Sequence, residues 1–240
     1  MATQWLVEAR DDSTCRGHGP RHPGAALMAS IVCFGDSITL GLVDPAGGWT
    51  QRLRRRLDQE ATFPLGDTSF PAHAVFNLGV SDDTSERLAT RLERELAPRQ
   101  LGDQTIVVIA VGVNETAYDP ATGRAAHDPE RFAATLAGIV ATARRSTDAV
   151  VLVGLLPCDE ARMQPPPWGA DGGHYANDRI RQFNQAVRRV AADTGAALVD
   201  CFEEVLAGDH AALLHDGLHP NGAGHQLLAD RIAERLRPWL

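Results

Sequence analysis

The sequence predicts an α/β fold, a doubly wound parallel sheet with helices on both faces. Two observations carry this. Short aliphatic, β-branched runs alternate with segments whose apolar residues recur at helical spacing, through five βα pairs in series. The inner runs, Thr105 to Val111 and Ala149 to Leu155, are almost unbroken in aliphatics, as strands buried on both faces are.

The first strand is expected over Ser30 to Gly35. The helix after it is marked by Trp49, Leu53 and Leu57 at i, i+4 and i+8. The second strand, His73 to Leu78, leads to a helix striped by Leu88, Leu92 and Leu96. The third, Thr105 to Val111, precedes a helix that Asp128-Pro129 opens with a cap residue and a proline at the first helical position. Its stripe is Phe132, Leu136, Ile139 and Val140. The fourth strand, Ala149 to Leu155, leads to a helix carrying Ile180, Phe183, Val187 and Val190. The fifth, Ala196 to Asp200, precedes the last helix, with Leu227, Leu228, Ile232 and Leu236 on one side and Asn221 placed to cap it. Two stretches break the pattern. Pro64 to Pro71 reads as a plain loop. Pro157 to Asn177, with Pro165-Pro166-Pro167-Trp168 inside it, is long for a compact domain and reads either as a lid or binding loop or as a tolerated insertion.

At 240 residues, 44% hydrophobic and 22% charged, the chain suits a single globular domain, expected over residues 28–240. Residues 1–27 read as a loose leader without the apolar stretch of a secretory signal, and Met28 is a candidate start of the folded unit. No run is apolar enough to span a membrane. The net charge of -8 argues against nucleic-acid partners, which need clustered cations. The one basic run, Arg52, Arg54, Arg55 and Arg56, reads as a solvated helix face. None of the four cysteines has metal or redox spacing; Cys33, Cys158 and Cys201 are expected as buried free thiols, which favours a cytoplasmic setting.

In open α/β sheets ligands bind beyond the carboxyl ends of the strands, so residues that follow strands carry the chemistry. Ser37, in Gly35-Asp36-Ser37, stands just past the first strand. A serine nucleophile needs a base, and the base needs a partner to fix its tautomer. Asp216 and His219, three apart in a turn before a helix, can supply both. Acyl transfer also needs donors aimed at the oxyanion. The N–H groups of Ser37 and Gly79 and the side-chain amide of Asn114 are the candidates, each placed after a strand. Singly, these residues are also ordinary turn and cap residues. Asp36 reads as structural. His215 and His219 are four apart, but Gly217 and Pro220 exclude a helix between them and no third ligand is evident, so no metal is expected.

Together, Gly35-Asp36-Ser37, Gly79 within Asn77-Leu78-Gly79-Val80-Ser81, Gly112-Val113-Asn114-Glu115 and Asp216-Gly217-Leu218-His219 resemble, in order, the blocks of the SGNH hydrolase superfamily, also called the GDSL esterase/lipase family. The resemblance runs from about Ile31 to the C-terminus. It implies a flavodoxin-like α/β/α sandwich with a five-stranded sheet in the order 2-1-3-4-5. It also implies hydrolysis, without metal or other cofactor, of small esters, thioesters, acyl lipids or acetylated sugars. Two departures stand out: Glu115 replaces the usual Asp, and Asp82-Asp83 occupies a region that often holds a second glycine. Trp168, His174 and Tyr175 are candidates to line an acyl pocket, or a lid packed on itself. The rival readings are an acyltransferase using the same triad and a silent binding module on the same fold. A nucleotide or flavin binder ranks last, because an aspartate in the first turn repels phosphate.

Overall fold

The computed structural model describes residues 28–65, 68–169 and 173–240; the expected leader lies outside the described residues. Along the chain run β1 (Ala29–Gly35), α1 (Ser37–Leu40), α2 (Gly48–Glu60), the pair β2 (Thr62–Leu65) and β3 (Thr68–Pro71), β4 (Ala74–Gly79), α3 (Ser85–Leu96), β5 (Gln104–Ala110), α4 (Pro129–Arg144), β6 (Ala149–Val153), α5 (Asn177–Thr194), β7 (Ala197–Val199), α6 (Phe202–Ala207) and α7 (Gly222–Leu236). Five parallel strands form the main sheet in the spatial order β4-β1-β5-β6-β7. Numbered within that sheet, this is the expected 2-1-3-4-5.

Successive strand residues point to opposite faces, and in β1 all seven are buried. Val32 and Phe34 meet Leu88 and Leu92 of α3, Leu136 of α4 and Phe183 of α5. Ile31 and Cys33 meet Trp49 and Leu53 of α2 and Leu228 and Ile232 of α7. The helical stripes read from the sequence are thus the faces that pack on the sheet, and the result is three layers. Asp128 caps α4 through the N–H groups of Glu130 (3.1 Å) and Arg131 (2.9 Å). Asn221 caps α7 through those of Ala223 (2.9 Å) and Gly224 (3.2 Å).

One expectation is corrected. Pro64 to Pro71 is not a plain loop but belongs to an antiparallel hairpin, with Phe63 opposite Phe70 and their rings stacked at 6.0 Å. Prolines cannot donate to a central ladder, yet they are tolerated in a two-stranded ribbon whose outer edges are open. Three of the four arginines of the basic run have carboxylate partners, while Arg55 donates to the Ala46 carbonyl. Arg52 pairs with Asp44, Arg54 with Asp58 at 3.6 Å, and Arg56 with Glu60 at 2.7 Å and Asp230 at 3.2 Å. Cys33, Cys158 and Cys201 are free and buried, and burial pushes all three thiols up, Cys158 to about 12 and Cys201 to about 11. No helix among the described residues is long and apolar enough to cross a membrane.

The chain builds outward from β1 in two directions, to β4 on one side and to β5 on the other. The crevice at such a switch point, beyond the strands' carboxyl ends, is where doubly wound folds bind ligands.

Candidate active site

Ser37 is delivered to that crevice by a tight strand-to-helix junction. A Cβ on Gly35 would lie 2.1 Å from the Ala110 carbonyl oxygen and 2.2 Å from Thr39 Oγ1, so only glycine lets α1 start at the strand tip. Asp36 caps α1, accepting from the Ile38 N–H at 2.9 Å. Ser37 is buried, and its own N–H has no protein acceptor among the described residues.

Asp36 is fully enclosed. Burial pushes its carboxyl up to about 7, partly opposed by the Ile38 N–H and reinforced by the nearby Glu115. An acid whose folded pKa exceeds its unfolded one weakens the fold as pH rises between the two, here from about 4 to about 7, because the unfolded chain loses its proton first. Asp36→Asn keeps the acceptor for Ile38 and is expected to flatten that slope. Urea midpoints at pH 5 and pH 8 check this: the wild type should lose more stability between them than the variant, and equal losses would remove this role from Asp36.

The loop before α7 brings up His219. His219 Nε2 lies 3.0 Å from Ser37 Oγ, and His219 Nδ1 lies 2.7 Å from Asp216 Oδ2. Asp216 Oδ1 accepts from the N–H groups of Leu218 (2.9 Å) and His219 (2.8 Å). Burial acts to raise the Asp216 carboxyl, but the His219 ring and these two N–H groups outweigh it and hold it down at about 2. The loop is pinned by His215 N–H to the His219 carbonyl and by Asp159 N–H to the Gly217 carbonyl, both 2.8 Å. Gly217 has φ 106°, and a Cβ there would meet Met163 at 2.8 Å, which explains glycine inside Asp216-Gly217-Leu218-His219. His215 is exposed. His225 is fully buried on α7 and held down at about 4 by burial.

On the other side of Ser37, Asn114 donates through Nδ2 to the Asp83 carbonyl at 2.8 Å, which leaves its second amide hydrogen for a ligand. Gly79 is placed differently from its expected role. Its N–H is taken by Asn77 Oδ1 at 2.9 Å, and a Cβ on it would strike the Leu40 N at 2.1 Å. Gly79 therefore serves the close packing of β4 on α1 and does not line the cleft. Asp82 lines it instead, with φ 60° and, among the described residues, no protein acceptor for its N–H. Nothing in the sequence marks an aspartate as left-handed; the only signal was its position where the family often has a second glycine.

The cleft measures about 340 Å³ and is lined by Ser37, Asn114, Asp216 and His219 together with Leu42, Ser81, Asp82, Leu218, Trp168 and Tyr175. The 157–177 loop thus forms part of its wall. Its base is fastened by Asn177, which accepts from the Cys158 N–H and donates to the Cys158 carbonyl, each at 2.9 Å. Trp168 lies edge-on to Tyr175 at 6.1 Å and to His219 at 5.7 Å. His174, the third candidate for the pocket, is not in the wall. It pairs with Tyr118 through the backbone, at 2.8 and 3.1 Å. A larger polar hollow, about 720 Å³, lies near the amino ends of β5 and β6, away from these residues.

The model of the GDSL-like lipase/acylhydrolase family matches residues 33–227. The chain is 28% identical to the esterase TesA of Pseudomonas aeruginosa, over 90% of its own length and 91% of that protein's. It is 27% identical to an acetylxylan esterase of Geobacillus stearothermophilus, over 65% and 68%. The crystal structure of a lipase/acylhydrolase from Enterococcus faecalis shares its fold, with a TM-score of 0.68 at 23% identity, covering 88% of this chain and 96% of that one. A family match spanning the strand tip that presents Ser37 and the loop that presents His219 leaves one assignment: this chain belongs to the GDSL-like lipase/acylhydrolase family, whose members hydrolyse esters.

Proposed function

We propose that the chain is a serine ester hydrolase that works through an acyl-enzyme on Ser37. The observation that carries this reading is the unbroken line of contacts from Ser37 Oγ to His219 (3.0 Å) and from His219 to Asp216 (2.7 Å). His219 Nε2 takes the serine proton as Oγ attacks the ester carbonyl. Asp216, ionised, holds the Nδ1–H tautomer and stabilises the imidazolium. The oxyanion is met by the Ser37 N–H, by the free hydrogen of Asn114 Nδ2 and, in the place first assigned to Gly79, by the Asp82 N–H. His219 then protonates the leaving oxygen, the alcohol departs, and water repeats the cycle on the acyl-enzyme. No metal is called for, since the base and the oxyanion donors are all protein groups.

The substrates we assign are short acyl esters or thioesters, with acyl lipids and acetylated sugars as the wider class that the names of the relatives suggest. The cleft volume supports the short end, because about 340 Å³ is near the floor for small-molecule sites. The test is hydrolysis of p-nitrophenyl acetate, butyrate and octanoate with parallel labelling by a fluorophosphonate. Turnover of acetate and butyrate above octanoate, with labelling of one serine, is expected. A folded protein inert to all three esters and to the probe would overturn the reading and favour a binding module.

A further inference from the structure

Asp82 differs from its surroundings in two ways. Its backbone is left-handed, a conformation that glycine adopts freely and that Asn and Asp tolerate best among the others. Its carboxylate is exposed in the cleft wall and, among the described residues, joins no hydrogen bond or ion pair. Arg87 reaches the Asp82 carbonyl at 3.1 Å, but its charge partner is Asp83, at 3.6 Å. The turn needs only the backbone at position 82; the negative charge is an addition to it.

The rest of the wall is consistent with a use for that charge. None of the ten residues lining the cleft is Lys or Arg. Trp168, 44% exposed, stands beside His219, the group that hands a proton to the leaving oxygen. Tyr175 is pushed up to about 12, by burial first and then by the negative charges of Asp82 and Asp36, so Asp82 acts on the aromatic side of the cleft. Aromatic rings near a carboxylate attract ammonium groups, quaternary ones especially. The net charge of -8 adds a long-range field of the same sign.

Building on the ester-hydrolase reading, we propose that Asp82 makes this cleft select by charge: it favours esters and thioesters whose leaving group carries a cation and disfavours those whose leaving group is anionic. Asp82 lines the same cleft as His219, which hands the proton to the leaving oxygen, and Trp168 beside it.

Three butyryl thioesters with the same acyl group and scissile bond test this: butyrylthiocholine, the neutral S-(3,3-dimethylbutyl) thiobutyrate, and butyryl-coenzyme A. At low salt the wild type is expected to prefer the cationic over the neutral substrate by about tenfold in kcat/KM, a typical size for one carboxylate contact plus one aromatic contact. The polyanionic substrate should rank last. Asp82→Asn, which keeps the left-handed tolerance, should cut the cation-to-neutral ratio by about fivefold and raise the relative rate on butyryl-coenzyme A. Asp82→Gly should do the same without backbone strain, so poor folding of one variant leaves the other to decide. Added salt should lower the wild-type ratio towards that of the variants. If the neutral thioester is hydrolysed but the ratio is the same in wild type and both variants, charge selection is overturned and the hydrolase reading stands. If none of the three thioesters is hydrolysed while p-nitrophenyl butyrate is, charge selection is overturned and the hydrolase reading stands; if p-nitrophenyl butyrate is not hydrolysed either, both fall.

Discussion

Ser37→Ala is expected to lower kcat/KM for p-nitrophenyl butyrate by about ten-thousand-fold or more while leaving the unfolding midpoint nearly unchanged. The two readouts separate because Ser37 Oγ makes one side-chain contact, with His219 at 3.0 Å, and no backbone bond depends on it. His219→Ala should cost a similar factor. The double variant should be no worse than either single one, since a base without its nucleophile and a nucleophile without its base are equally idle. Steady-state kinetics on the three proteins measure this. Losses that multiply in the double variant would mean that the two residues act separately, and the proposed acyl-enzyme would have to be abandoned. Asp216→Asn extends the test: Asn can still accept from the N–H groups of Leu218 and His219, but its amide faces Nδ1 as readily as its oxygen does. The tautomer is then no longer fixed, and a drop on the same order is expected.

Much of this site was legible because Ser37 and Asn114 stand just past strand ends, which follow from aliphatic runs, and because Asp216 and His219 stand just before a helix start. Phe34-Gly35-Asp36-Ser37 could be placed at a strand tip and Asp216-Gly217-Leu218-His219 in a turn before a helix, and the structure brings Ser37, Asp216 and His219 into one line of contacts. What stayed hidden is backbone conformation and the destination of individual N–H groups. Gly79 and Asp82 lie three residues apart in one turn. Which of them faces the cleft depends on Asn77 engaging the Gly79 N–H and on α1 packing against the Gly79 Cα, neither of which leaves a mark in the sequence. The β2–β3 hairpin was missed for a related reason, since prolines that exclude a central strand do not exclude an edge ribbon. Arg91 was overlooked although a signal was available. It sits three residues after Leu88 and one before Leu92, on the apolar stripe of α3, where a lone arginine has to find a buried partner.

That partner is Asp83, and breaking the pair should destabilise the fold far more than any substitution at Ser37, His219 or Asp216. Arg91 reaches Asp83 Oδ2 with Nε at 2.9 Å and Nη2 at 2.7 Å, and the side chains are only 11% and 2% exposed. The same Nη2 donates to the carbonyls of Leu78 (2.9 Å) and Gly35 (3.2 Å), so one guanidinium ties together the ends of β4 and β1 and the loop carrying Asp82. Arg91→Met keeps most of the stem's volume but leaves the Asp83 carboxylate buried with only the more distant Arg87 beside it. Removing one partner of a buried ion pair costs about 3–5 kcal/mol, whereas replacing both partners costs far less. The expected result is therefore a loss of about that size in Arg91→Met by urea unfolding, with a large part recovered when Asp83→Asn is added. A single variant within about 1 kcal/mol of wild type, or a double variant worse than the single one, would show that the pair does not hold the loop. Activity gives a second readout. The Asp83 carbonyl positions Asn114 at 2.8 Å, so loosening this loop should lower kcat more than it raises KM, because the proposed oxyanion donors would act on the transition state rather than on bound ester.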